Sequence, residues 1–195
     1  MSVYFHGSFG LNRVYMSGVL SAMTSKPEAS PAEVASPFGY GAPFTNKYKS
    51  WLQKTGLLAG KKLTPYGEII VKHDPQLDSI VSQWFMHHQL IKNPTDAEAW
   101  YFFIKEFLPA NPVFTRDKLE KELGMKLMSH SVEHFSKGRP MNRVISKKLI
   151  DCYLQEEGLG RLGLLKQSKD KEFIRQDLKN SLGPWDSGES LLTEY

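Results

Sequence analysis

The sequence predicts a mainly α-helical protein made of two winged helix-turn-helix-like lobes around an aromatic helical core. Three observations carry that expectation. Apolar residues recur at helical spacing through most of the 195-residue chain. Strand-like runs are confined to 61–71 and 158–166. The order of three helices and then a short β piece occurs twice. At roughly 150 residues per domain, the length fits one large domain or two small ones. The expected organisation is a lobe over 1–75, a central aromatic helical pair over 76–112, a second lobe over 113–182 and a tail over 183–195.

Each element has its own signal. A first helix over 11–23 places Leu11, Val14, Tyr15 and Val19 on one face. Ser30, Pro31 and Glu33 form an N-cap, first-turn proline and capping-box acid for a short second helix to about 37. A turn at 39–41 precedes a third helix over 44–55, with Phe44, Tyr48, Trp51 and Leu52 inward and Gly56 as its stop. Residues 57–63 read as a short strand and tight turn. Thr64 and Pro65 open a fourth helix. Helices over 79–91 and 96–108, joined by Asn93-Pro94-Thr95, bring Trp84, Phe85, Trp100, Phe102, Phe103 and Phe107 into the core. The second lobe follows with helices over 115–123, 126–135 and 142–157. The last of these turns Val144, Ile145, Leu149, Cys152 and Tyr153 inward. A β-like piece over 158–165 and a final helix over 169–182 complete it.

Composition narrows the function classes. A single cysteine, Cys152, allows no intrachain disulfide and no thiolate-rich zinc site. No apolar run approaches the ~20 residues of a membrane span, and the N-terminus lacks a signal-peptide pattern. The cytoplasm is the expected compartment, with no membrane partner. Lys plus Arg number 25 against 21 Asp plus Glu, a mild net charge of +4.

The distribution of that charge is more telling. Between 42 and 63 the charged residues are Lys47, Lys49, Lys54, Lys61 and Lys62. Between 134 and 150 they are Lys137, Arg139, Arg143, Lys147 and Lys148. No acid interrupts either run, and each covers a third helix or the turn beside it. In a winged helix the third helix enters the DNA major groove and the wing meets phosphate. Clustered cations on such elements are the footprint expected for a phosphate backbone. The bland alternative is a solvated lysine face. Asn46 and Asn142 add side chains able to read a base edge, although Asn46 could equally cap its helix. The candidate DNA-binding set is Asn46, Lys47, Lys49, Lys54, Lys61, Lys62, Arg139, Asn142, Arg143, Lys147 and Lys148.

Catalytic signals are weak. His130-Ser-Val-Glu133-His134 matches the spacing of a zinc clasp, but it lacks a third ligand and a cleft. There is no phosphate-binding glycine loop and no serine nucleophile elbow. The expectation is no enzyme, no cofactor and no metal.

Several segments together carry a resemblance. They are Phe5-His6-Gly7-Ser8-Phe9; Tyr48 to Leu58 with Trp51 and Gly56; Leu63-Thr64-Pro65 with Gly67-Glu68; Asp74-Pro75; Trp84-Phe85-Met-His87-His88; Ala99-Trp100 with Phe102-Phe103 and Phe107; Phe114-Thr115-Arg116; and Leu162-Gly163-Leu164-Leu165. The chain resembles the prokaryotic domain-of-unknown-function family 4007 over about 5–165. The resemblance implies a helical, winged-helix-type protein found beside sulfur-transfer enzymes in DNA phosphorothioate modification and anti-phage islands. One departure stands out: the family's His-Glu-Thr-Phe reads His6-Gly7-Ser8-Phe9 here, so the carboxylate is missing. The function expected is a DNA-binding accessory protein of such a system, holding duplex DNA mainly through phosphate beside a partner enzyme. The alternative is a structural subunit that uses its tail and aromatic middle to bind proteins.

Overall fold

The computed structural model describes residues 3–176, which form two compact units. One unit is Phe5–Leu90. The other begins at Ile91 and includes Val3 and Tyr4. The divide falls inside the expected central pair, so the first helix of that pair closes one unit and the second opens the other.

In the N-terminal unit, α1 (Arg13–Ser25) is capped by Asn12, whose side chain accepts from the Tyr15 N–H at 3.0 Å. Its buried stripe is rotated from the expected one. Met16, Val19 and Leu20 are buried, while Val14 is 61% exposed. Arg13 helps set this rotation: buried at the helix start, it donates to the Leu77 carbonyl and to Asp78 Oδ1 at 2.9 and 2.7 Å. Next, α2 (Pro31–Ala35) carries the expected capping box, with Ser30 and Glu33 bonded reciprocally. Then α3 (Ala42–Lys54) buries Phe44, Tyr48, Trp51 and Leu52 as the periodicity requires. Phe44 stacks on Tyr40 at 4.7 Å and meets Tyr15 edge-on at 5.3 Å, geometries that aromatic quadrupoles favour.

Gly56 ends α3 in the left-handed region at φ 76°. The strands β1 (Leu58–Ala59) and β2 (Lys62–Leu63) pair antiparallel, Leu58 opposite Leu63. Gly60, at φ 63°, starts the two-residue turn between them. Thr64 caps α4 (Pro65–His73), and α5 (Ile80–Lys92) buries Ser82 through His88 along its length.

The C-terminal unit opens with α6 (Glu98–Tyr101), a π-helical stretch Phe102–Phe107 and α7 (Leu108–Ala110) in one continuous rod. The Leu108 N–H reaches back five residues to Phe103. Pro109 explains the wide turn, since its ring lacks an N–H and crowds the carbonyl four residues earlier. Next come β3 (Val113–Phe114), α8 (Arg116–Leu127), α9 (Val132–Phe135) and α10 (Pro140–Leu154). After a 3₁₀ turn at Gly160–Leu162, the chain forms β4 (Leu165–Gln167) and β5 (Phe173–Arg175). The sheet order is β3-β5-β4, antiparallel throughout. Its buried side meets the π-helical stretch through Phe114, which lies 5.0 Å from Phe107 and 5.9 Å from Phe103. Phe114 meets Phe173 within the sheet at 5.4 Å, and Phe103 meets Tyr153 of α10 at 6.0 Å.

Three expectations fail here. The helix over 126–135 is broken, because α8 continues to Leu127 and Ser131 then caps the separate α9 by accepting from the His134 N–H. The β-like piece over 158–165 is mostly a turn, with the strand beginning at Leu165. The final helix over 169–182 is absent over 169–176, where the second hairpin strand lies. Ser168 Oγ accepts from the N–H groups of Asp170 and Glu172 at 3.2 Å, closing the loop before β5, and Phe173 is drawn into the core. The rest of that helix, and the tail over 183–195, lie outside the described residues. The coarse expectation stands: the protein is mainly helical, with small sheets and an aromatic core.

Candidate nucleic-acid interface

The second basic run sits on α10. Arg139 is its N-cap residue, and Arg143 and Lys147 follow at four-residue steps. That spacing puts all three along one helix stripe, while Ile145, Leu149, Cys152 and Tyr153 are buried. All three are solvent-exposed. Lys148 is different. It is half-buried, and desolvation lowers its pKa, helped by the neighbouring Lys147 charge and opposed by Asp151. Lys137, in the turn before α10, is paired with Asp117 at 2.9 Å.

Asn142 is not placed to read a base. It is fully buried, and its side-chain amide donates to the Glu120 carbonyl at 2.7 Å. It locks α10 onto α8, across a close approach in which a Cβ on Gly124 would stand 3.2 Å from the same amide.

The first basic run sits on α3 and the β1–β2 hairpin. The helix begins at Ala42 with Gly41 as its cap, so Asn46 is a solvent-exposed second-turn residue rather than a cap. Lys61 and Lys62 are exposed beside the turn. Lys47, Lys49 and Lys54 are half-buried on the flanks of the helix. The Lys47 stem packs against Gly7, where a Cβ would stand 3.1 Å from Lys47 Cε. Gly7 also adopts φ 60°, the left-handed region. A side chain at this position would therefore be strained.

Sequence reasoning missed Arg116 and Gln167. Arg116, at the start of α8, donates through Nε to Glu120 at 3.1 Å and through Nη2 to the Arg143 carbonyl at 3.2 Å. Together with Lys147, Asp151, Gln167 and Phe173 it lines a hollow of about 170 Å³. Only the docking of α8 on α10 and β4 creates this neighbourhood, and no local pattern announces it.

The histidine clasp does not form. His130 Nε2 lies 2.7 Å from Glu98 Oε2, while His134 Nδ1 lies 2.7 Å from Ser131 Oγ. Among the described residues no group of three or more His, Cys, Asp or Glu is placed to hold a metal ion. Cys152 is buried and its thiol is pushed up to about 12 by desolvation, which makes it a packing residue. The aromatic middle offers no platform either, because Trp84, Phe85, Trp100 and Phe103 are all interior. No helix of the described residues is long and apolar enough to cross a membrane.

Residues 5–182 match the family described as protein of unknown function (DUF4007). The chain belongs to that family. Among solved structures it is similar in fold to SspB, seen both in a magnesium ion-bound crystal structure and in one without that description. Each gives a TM-score of 0.59 at 18% sequence identity over 90% of this chain. The chain spans 60% and 59% of the length of those two structures. The comparison with curated proteins finds no match.

Proposed function

We propose that this DUF4007 protein is a DNA-binding accessory component of a prokaryotic DNA-modification or anti-phage defence system, acting in the cytoplasm. It holds duplex DNA mainly through phosphate and leaves the chemistry to a partner enzyme. Both units act as winged-helix-like lobes, α10 and the β4–β5 hairpin in one, α3 and the β1–β2 hairpin in the other. The phosphorothioation setting is the one the family resemblance implies, and the fold shared with SspB is compatible with it.

One observation carries the proposal. In the C-terminal unit a helix bearing Arg139, Arg143 and Lys147 along one exposed stripe is followed, after a connection that includes the 3₁₀ turn Gly160–Leu162, by the hairpin of a β3-β5-β4 sheet. A third helix followed by a hairpin wing, with cations on the outward face, is a groove-and-backbone docking element. Neutralised phosphates release counterions, so affinity must fall steeply with salt.

The test is fluorescence anisotropy with several unrelated duplexes between low and moderate salt. The expected result is binding with little sequence preference and a log K against log salt slope of several units. Absence of binding at low salt would hand the protein to the structural-subunit alternative.

A further inference from the structure

We propose that the hollow between the start of α8, the middle of α10 and β4 is a seat for one backbone phosphate, with Arg116 as its principal ligand. The inference deepens the DNA-binding proposal and rests on it. At about 170 Å³ the hollow is well below the roughly 300–1,000 Å³ of small-molecule pockets, yet it has room for a single oxyanion. Three residues whose side chains carry hydrogen-bond donors line it, from three separate elements: Arg116, Lys147 and Gln167.

Arg116 is held for this task. Its Nε bonds Glu120 and one Nη2 hydrogen bonds the Arg143 carbonyl. Those two bonds leave three of the five guanidinium N–H donors. Fixing a planar fork by neighbours of its own removes the rotamer entropy that a surface lysine loses on binding. The Arg143 carbonyl also ties the fork to the helix whose exposed face carries Arg143 and Lys147. A phosphate in the hollow therefore lies alongside that face.

Asp151 opposes this. Asp151 lines the same hollow, and Glu120 offsets part of the Arg116 charge. The seat is therefore a moderate anion site in the free protein. Occupancy depends on the rest of the duplex being held by α10, which suits an anchor for a polymer better than a site for free phosphate.

The experiment uses the full chain and duplex DNA, with anisotropy titrations over a salt series for the parent, Arg116→Ala, Arg116→Lys and Asp151→Asn. Thermal melting of each variant reports folding. Arg116→Ala is expected to lower the slope of log K against log salt by about 0.9, the value of one phosphate contact, equally on unrelated sequences. Arg116→Lys keeps the charge without the fork and is expected to retain the parent slope. Asp151→Asn is expected to tighten binding. If the parent binds but Arg116→Ala keeps the parent slope, or Asp151→Asn does not tighten binding, the seat is overturned and the DNA proposal survives. If Arg116→Lys loses as much slope as Arg116→Ala, the arginine only braces α8 against α10, and the seat is likewise overturned. If the parent does not bind duplex at all, both fall together.

Discussion

The two basic runs look alike in sequence and differ in three dimensions. On α3, Lys47 lays its stem over Gly7, and Lys49 and Lys54 are also half-buried. On α10, Arg139, Arg143 and Lys147 stand clear of the core on one face. The hairpins differ as well. β1 and β2 pair over two residues each, whereas β4 and β5 pair over three and join β3 in a wider sheet. Equal numbers of cations therefore do not mean equal capacity to meet phosphate. A lysine whose methylenes are packed has fewer positions for its ammonium, and part of its role is apolar cover.

That contrast gives the largest expected effect. Arg139→Ala/Arg143→Ala is expected to weaken duplex binding more than tenfold and to lower the salt slope by about 1.8, two contacts at ~0.9 each. Lys47→Ala/Lys54→Ala is expected to cost less in affinity and more in melting temperature. Salt-series titrations and melting curves for both pairs decide it. If the α3 pair loses the greater slope, the order of the two faces is reversed.

Gly7 separates the faces from another side. Gly7→Ala puts a Cβ on a backbone at φ 60° and 3.1 Å from Lys47 Cε, and is expected to destabilise the chain by about 1–2 kcal/mol. Gly138→Ala, beside α10, meets nothing within 4 Å at φ 80°. Backbone strain alone acts there, and the expected cost is about 1 kcal/mol. Chemical denaturation of both variants checks the difference. Equal losses would show that the Lys47 stem yields freely.

Much of this was legible beforehand, for local reasons. Ser30 with Glu33, Thr64 with Pro65, Thr115 and Gly56 each mark a helix end by a bond or a backbone angle that needs no distant partner. Ile145, Leu149, Cys152 and Tyr153 lie inward as their spacing requires. The failures are tertiary. Val14 faces solvent because the stripe of α1 is set by Met16, Leu20 and the Arg13 pairing with Asp78, 65 residues away. The run Phe173–Arg175 becomes a strand because Phe173 finds Phe114. Asn142 looked like a base reader and proved a fastener, since its partner is a backbone carbonyl on α8. Charge runs locate a face only when burial is known.

Lys148 gives the smallest effect and the finest distinction on the α10 face. Burial lowers its pKa, with Lys147 adding to the shift and Asp151 resisting it. A lysine whose folded pKa lies below its unfolded value binds fewer protons when folded. Stability then rises with pH between the folded pKa and about 10.4 in the unfolded chain. Below that window the ammonium is charged in both states and the folded protein carries its desolvation penalty. Lys148→Met removes the penalty and fills the same volume, so it is expected to melt slightly higher than the parent at neutral pH. The gap should narrow as pH climbs toward 10. Its salt slope on duplex DNA is expected to match the parent, because the half-buried Lys148 lies off the exposed stripe of Arg139, Arg143 and Lys147. A slope lowered by a full contact, with no gain in melting temperature, would move Lys148 into the binding face with Arg143 and Lys147.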